Sequence, residues 1–324
     1  MSRRARLALT LGDPAGIGPE IVLACLSDSS LFERMDVLAI GPASLRPARI
    51  PERSRRESPG FGALWRSIEP RGPFVLGAPG RAGGLAALAA LRAGHELALC
   101  GEVDALVTAP VSKESLHLAG ERVEGQTELL ARWAGAREAE MLAIAGDLRV
   151  LLLTRHMPLR QALAAITPDR VLGHLRMLAA GLRRFGFERP RLALAGLNPH
   201  AGENGLLGRE EIELLAPALA RARDEEIDVT GPVSPDTVFL RAARGDFDAV
   251  LALYHDQAFI PVKLLGARRG LTVLLGMPYL RVSPAHGTAF DLAGRGVADP
   301  SNLRFALERA ADWAERYSFA RARA

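Results

Sequence analysis

Cysteine is scarce in this 324-residue chain, with only Cys25 and Cys100 present. Both stand in apolar, helix-like contexts without metal-ligand spacing, so a disulfide framework and a cysteine metal site are excluded. Both are expected in the core of a protein from a reducing compartment. No stretch approaches the roughly 20 apolar residues of a membrane span. The basic start MSRRAR reaches Gly12 and Asp13 before a signal-like apolar segment can form. No membrane association and a cytoplasmic location are therefore expected. Internal repeats and low-complexity linkers are also missing, and 48% hydrophobic with 24% charged residues is ordinary globular composition. The chain has no G-x-G-x-x-G dinucleotide fingerprint; residues 12–18 give G-x-x-x-G-x-G instead.

A strong charge imbalance is absent too. Lysine and arginine number 41 against 37 acidic residues, a net charge of +4. Only residues 46–56 and 321–324 are locally basic, and neither interleaves aromatics in a nucleic-acid motif. Nucleic-acid binding is not expected, whereas a small anionic substrate suits a modest positive excess.

A chain of this length exceeds one comfortable core, so two lobes are expected. Strand-like apolar runs alternate with helical patterns throughout, which indicates an α/β architecture with a largely parallel sheet. A first strand over 6–11 runs into the loop GDPAGIGPE at 12–20, where Pro19 suits a first helical turn. That loop reads as a tight strand-to-helix turn or as bare amides for an anion. Residues 47–72, rich in Pro, Arg and Ser, read as a surface excursion. The alanine- and leucine-rich run 83–99 reads as a helix. A strand over 103–107 leads to TAPVSK at 108–113, where Ser112 and Lys113 form either a helix cap with a solvated lysine or a nucleophile with its base. Residues 141–146 and 149–154 suggest paired strands, and Thr167-Pro168-Asp169 caps a long amphipathic helix.

Three of the seven histidines follow apolar strand-like runs. His156 ends VLLLTRH, His200 ends RLALAGLNPH, and His255 follows residues 249–253 within YHDQAFIPVK. The carboxyl ends of parallel strands share one edge, where open sheets place ligands. Each histidine alone reads as a hydrogen-bonded structural residue. Three converging imidazoles would hold a divalent metal of the zinc, cobalt or nickel kind with positions left open for substrate. The loop LNPHAGENG at 197–205 is costly to order without a ligand, so there the functional reading leads.

The ordered motifs GDPAGIGPE, TAPVSK, GQTE at 125–128, LNPHAGE at 197–203, GPVSPDT at 231–237, YHDQ at 254–257 and SPAHGTAFDLAGRG at 283–296 together resemble the 4-hydroxythreonine-4-phosphate dehydrogenase family of pyridoxal phosphate biosynthesis. The resemblance implies two α/β/α lobes of the isocitrate and isopropylmalate dehydrogenase type around a cleft, with residues 1–125 plus 285–324 in one lobe and 126–284 in the other. It implies a homodimer whose metal site, for Zn, Mg or Co, takes His156 and His200 from one subunit and His255 from the partner. The implied activity is oxidation of 4-phosphohydroxy-L-threonine by NAD or NADP, followed by decarboxylation. Thr127, Lys263 and Arg281 match the family's substrate contacts. Gln126 and Thr272 stand where the family usually has histidine and asparagine, which shifts attention to other phosphorylated hydroxy acids such as D-threonate or D-erythronate 4-phosphate. Asp256 and Lys113 are the candidate proton acceptors. Without a dinucleotide fingerprint, the cofactor is expected against the loop carrying Ser283, His286 and Asp291. A phosphate acyltransferase-like enzyme and a non-catalytic binder of phosphorylated metabolites are the readings from other classes.

Overall fold

The computed structural model describes residues 3–53, 62–69, 72–136 and 138–319. Residues 54–61 and 70–71 of the expected excursion, and the basic tail 321–324, lie outside the described residues. The chain divides into two compact units. One takes the residues up to Ala139 and those from Met277 onward; the other is Glu140–Gly276. The sequence-based boundaries fell at 125/126 and 284/285.

In the first unit, β1 (Ala5–Thr10) leads to α1 (Gly18–Leu26), then to β2 (Met35–Pro42), β3 (Ala63–Ile68), α2 (Arg81–Leu99), β4 (Ala105–Thr108), α3 (Lys113–Leu118) and α4 (Gln126–Trp133). The second unit contains β5 (Glu140–Ala145), β6 (Leu148–Leu152), α5 (Leu159–Ala164), α6 (Pro168–Arg184), β7 (Leu192–Ala195), α7 (Ala216–Asp224), β8 (Val229–Val233), α8 (Val238–Ala243), β9 (Ala249–Ala252), α9 (His255–Leu265) and β10 (Gly270–Leu275). The chain then returns to the first unit with β11 (Leu280–Pro284) and α10 (Ser301–Phe319).

The first unit's strands run β3-β2-β1-β4-β11, all parallel. Pairing of β11 with β4 is what brings residues 280–284 into this unit rather than the second. Strand β3 corrects the expectation of a plain surface excursion over 47–72. Its ALWRSI sequence turns Trp65 fully inward, and burying a large apolar side chain is worth roughly 1.5–3 kcal/mol, enough to hold an edge strand. Helix α2 lies close on the sheet because residue 94 is glycine; a Cβ there would sit 2.6 Å from Leu106 Cδ1. Cys100, expected in the core, caps the end of α2 and is exposed, whereas Cys25 is buried.

The second unit's strands run β10-β5-β6-β9-β7-β8. Strands β6, β9, β7 and β8 are parallel, while β5 is antiparallel to both of its neighbours. That antiparallel insertion is the expected pair over 141–154. Leu142, Val150, Leu152, Ala193 and Val250 are wholly buried, so these strands read as continuous apolar runs. Helix α6 starts as its cap signal predicts, with Thr167 Oγ1 accepting from the Arg170 amide and Pro168 in the first turn. The stretch after β9 is not an open loop: His255 begins α9 directly. Among the described residues, no helix is long and apolar enough to cross a membrane.

Asp104 ties the starts of β1 and β4. Its carboxylate accepts from the Arg6 amide at 2.8 Å, from Arg6 Nη2 at 2.9 Å and from Arg3 Nη2 at 2.6 Å. Burial alone pushes this carboxyl up, but the Arg6 hydrogen bonds and the Arg6 and Arg3 charges outweigh it and hold it below the usual carboxylate range. Asp104→Ala should therefore cost roughly 2–3 kcal/mol in urea unfolding, with the partly exposed arginines discounted. Because the folded pKa is depressed, this contribution is complete above about pH 3.9, the unfolded carboxylate value. It is lost as pH falls through the lower folded value, so the wild type and variant should converge only in strong acid.

Candidate functional site

In the second unit, the carboxyl ends of β6, β9 and β7 lie side by side, and His156, His255 and His200 follow them in that spatial order. The shared strand edge read from the sequence is thus present within one chain. His156 and His255 approach with ring centroids 5.8 Å apart and planes tilted by 46°. Both line a cavity of about 270 Å³ together with Arg155, Met157, Tyr254 and Asp256. His200 is exposed in the turn after β7 and is not among the residues lining that cavity. Among the described residues of one chain, no group of three or more His, Cys, Asp or Glu is placed to hold a metal ion.

The pair suits a divalent cation nonetheless. Metal–nitrogen bonds of about 2.0–2.1 Å place two ligating imidazole centroids about 5 Å apart at a tetrahedral angle, close to the observed spacing. His255 Nδ1 lies 2.7 Å from Asp256 Oδ1, so the ring donates there and directs the Nε2 lone pair elsewhere, the usual carboxylate-oriented ligand arrangement. Phe259, one helical turn on, stacks against His255 at 4.7 Å between centroids. Asp256, a candidate proton acceptor, is thereby also the group that orients His255.

The turn carrying His200 has an unusual backbone. His200, Ala201, Glu203 and Asn204 all have φ between 44° and 55°, with Gly202 among them at 80°. Left-handed conformations cost L-residues about 1–2 kcal/mol each, so this turn must be held. Glu211, buried, accepts from the Leu197 and Asn198 amides at 2.8 and 2.7 Å and from Asn198 Nδ2 at 2.8 Å. Lys263 on α9 is exposed, its ammonium 5.9 Å from the Phe259 ring, and Thr272 is buried on β10 opposite Ala143.

In the first unit, Arg281 is the informative residue. It sits on β11 in register with Leu106 of β4, is 1% exposed, and donates from Nη2 to Thr108 Oγ1 at 2.8 Å. Its Nε has no partner; the Glu128 charge lies near enough to favour the guanidinium, but burial outweighs it. Burial pushes the guanidinium down to about 10, still far above neutrality, so it stays charged. A buried cation whose counter-charge only partly offsets burial is costly. The residue is suited to an anion that the folded chain does not itself supply, held by the bidentate fork that only arginine offers. Tyr279 and Ser283 flank Arg281 at two-residue spacing and so share its face of β11. Both are buried, and Tyr279 OH is hydrogen-bonded to His95 Nδ1 at 2.8 Å.

The remaining expected residues are all in this unit. Gln126 opens α4, its Oε1 buried without a partner, and Thr127 beside it is buried. Ser112 is a helix cap, its Oγ accepting from the Ser115 amide at 3.2 Å, and Lys113 after it is exposed. The capping reading therefore holds over the nucleophile reading. In the 12–20 loop the amides of Asp13, Ala15, Gly16 and Ile17 are all bonded within the protein, which favours the tight turn over the anion cradle. His286 Nδ1 is 3.1 Å from the Gly287 carbonyl, leaving Nε2 as a buried acceptor without a partner, while Asp291 is exposed. Sequence analysis assigned no role to Thr108 or Gln257, although they lie in the TAPVSK and YHDQ motifs, or to Thr154 before His156.

Known proteins define the class. A 4-hydroxythreonine-4-phosphate dehydrogenase from Maricaulis maris is 43% identical, over 97% of this chain and 99% of that protein. A D-threonate 4-phosphate dehydrogenase from Salmonella typhimurium is 42% identical, over 94% and 97%. The crystal structure of a 4-hydroxythreonine-4-phosphate dehydrogenase from Klebsiella pneumoniae superposes with a TM-score of 0.87 at 38% identity, covering 97% of this chain and 99% of that one. The chain is an oxidoreductase, a dehydrogenase acting on a hydroxyl group, and its class implies a nicotinamide cofactor. The family model described as pyridoxal phosphate biosynthetic protein PdxA matches residues 23–310, and the chain belongs to that family. The α/β fold expected from the motifs is the one observed.

A buried charge that is only partly offset predicts a trade between stability and binding. Arg281→Met should stabilise the ligand-free protein by about 1–3 kcal/mol in urea unfolding. The same variant should lose the heat of phosphate or carboxylate binding in calorimetry. A destabilised variant would mean that the guanidinium is already compensated inside the fold.

Proposed function

We propose that this protein oxidises 4-phosphohydroxy-L-threonine to a 3-keto acid that loses carbon dioxide to give 3-amino-2-oxopropyl phosphate. The observation that carries the reading is the buried Arg281 guanidinium, which bonds Thr108 and leaves its Nε without a partner, the Glu128 charge offsetting only part of its burial. It calls for an anionic substrate, and both the phosphate and the carboxylate of this molecule qualify. Family membership supplies the chemistry, and the named relatives supply the substrate class.

Arg281 and Lys263 bind the anionic ends of the substrate, the first as a planar fork and the second as a point charge. Thr127, Gln126 and Thr272 hydrogen-bond around them. His156, His200 and His255 would hold a divalent cation, zinc, magnesium or cobalt, which would supply Lewis acidity at the substrate hydroxyl. Asp256 or Lys113 takes the hydroxyl proton. The loop carrying Ser283, His286 and Asp291 would hold NAD or NADP, with the unpartnered Nε2 of His286 as a hydrogen-bond acceptor. The histidine site is completed across a homodimer, a reading supported by one chain bringing only two of the three rings together. The family arrangement takes His156 and His200 from one subunit and His255 from the partner, whereas within one chain it is His156 and His255 that approach.

A second reading has its own support. Gln126 and Thr272 replace a histidine and an asparagine, and glutamine cannot become cationic beside an anion. A D-threonate 4-phosphate dehydrogenase is nearly as similar as the 4-hydroxythreonine enzyme. D-threonate or D-erythronate 4-phosphate is thus the alternative substrate.

Reduction of NAD and NADP by the metal-loaded protein, measured against all three acids, decides between the readings. Fast turnover of 4-phosphohydroxy-L-threonine is expected, with a further gain in Gln126→His. His200→Ala should abolish both metal binding and turnover in a folded protein. Preference for either sugar acid, with no gain in Gln126→His, makes residues 126 and 272 specificity determinants. Absence of turnover with all three acids overturns the proposal.

A further inference from the structure

The three histidine loops are tied to one another just below the histidines, by side chains that take over where the strand ladder stops. Strands β6, β9 and β7 end at Leu152, Ala252 and Ala195, and the last backbone bonds are those of the Leu153 amide to the Ala252 carbonyl and the Gly196 amide to the Val233 carbonyl, both 2.8 Å. Beyond these, Thr154 Oγ1 donates to the Leu253 carbonyl at 2.7 Å. The Leu253 amide donates to Gln257 Oε1 at 2.7 Å, and Gln257 Nε2 donates to the Gly196 carbonyl at 2.7 Å. Only one orientation of that amide satisfies an N–H on one side and a carbonyl on the other. Thr154 is two residues before His156, Leu253 two before His255, and Gly196 four before His200. Thr154 and Gln257 are both buried, at 1% and 7% exposure.

The tie reaches the left-handed turn itself. A Cβ on Gly196 would lie 3.0 Å from Ala201 Cα, so the turn folds back directly over the glycine whose carbonyl Gln257 holds. Glu211 holds the other side of the same loop through the Leu197 and Asn198 amides. Displacing Gly196 therefore displaces His200, and releasing Leu253 frees the first turn of α9, where His255 stands.

We infer that Gln257 and Thr154 are positioning residues that fix the backbone of each chain's three histidine loops, those of His156 and His200 for one divalent-cation site and that of His255 for the partner's, and thereby set the affinity and geometry of those sites. Neither side chain touches the cation; each acts through the backbone of a loop that carries a ligand. The inference rests on the proposed histidine site. Loss of a supporting bond behind a metal ligand typically weakens metal binding about 10–100-fold.

The test is titration of the full-length metal-free protein with cobalt(II), reading dissociation constants by chelator competition and coordination by visible absorption. Gln257→Met keeps the length and removes both bonds, Thr154→Val keeps the shape and removes one, and Thr154→Ser keeps the donor. Tyr279→Phe, which removes a buried hydrogen bond in the other unit, controls for a loss of stability alone. Gln257→Met and Thr154→Val are expected to bind cobalt(II) about 10–100-fold more weakly with an altered spectrum. Thr154→Ser and Tyr279→Phe should keep the wild-type constant. Wild-type affinity and spectrum in both Gln257→Met and Thr154→Val would overturn the inference, as would equal weakening by Tyr279→Phe. If Gln257→Met does not fold, the Thr154 pair carries the test. Should wild type not bind cobalt(II), or His200→Ala bind it equally well, the histidine site itself falls and the inference with it. Wild-type binding that depends on His200 but not on Gln257 or Thr154 removes the inference alone.

Discussion

Parallel strands have to end, and their last peptide groups then need partners that the ladder no longer provides. An unpaired buried peptide group costs as much as a lost hydrogen bond, roughly 1–3 kcal/mol. Both units of this protein answer that constraint at the carboxyl ends of their strands, and both place chemistry there. In the second unit Thr154 and Gln257 complete the edge of β6, β9 and β7. In the first, Thr108 at the end of β4 meets Arg281 from β11. The groups that close the sheet edge and those that face a ligand are therefore neighbours, so the rigidity of the one transfers to the other.

Charge follows a different logic in the two units. Asp104 is nearly buried, yet it collects the arginines at positions 3 and 6 and an amide, so its charge stabilises the fold. Arg281 is equally enclosed and collects one hydroxyl. The first is structural and the second is the group proposed to bind an anion, which would be held at the expense of stability, a pattern found where function sets the requirement. The left-handed turn around His200 belongs with Arg281, since several non-glycine residues in that region of backbone space persist only where the surroundings enforce them.

Much of the site was legible because its residue types are rare at strand ends. His156, His200 and His255 each follow an apolar run, and the runs are indeed adjacent parallel strands. Thr167-Pro168 named the start of α6, and Ser112 the cap of α3. Strand β3 was hidden because its six residues sit in a Pro- and Arg-rich context, and only the burial of Trp65 distinguishes them from a surface segment. Cys100 misled because an apolar helix supports a core assignment, yet the last residue of a helix points wherever the helix stops. Gln257 stood in the YHDQ motif without a role of its own; an amide in the first turn of a helix looks like solvent-facing polarity until Gly196 is found beside it.

Local sequence determined the elements, their caps and the ordered motifs that place the chain in its family, because these depend on residues within a few positions of one another. It also determined that three imidazoles follow strand ends, whereas Arg281, read as part of a polar loop over 281–291, lies inside β11. Tertiary structure alone decided which of them meet. Arg281 and Thr108 are 173 residues apart, Thr154 and Leu253 are 99, and Gln257 and Gly196 are 61. Such contacts follow from strand order and register, which arise when the whole apolar surface of a unit is buried together.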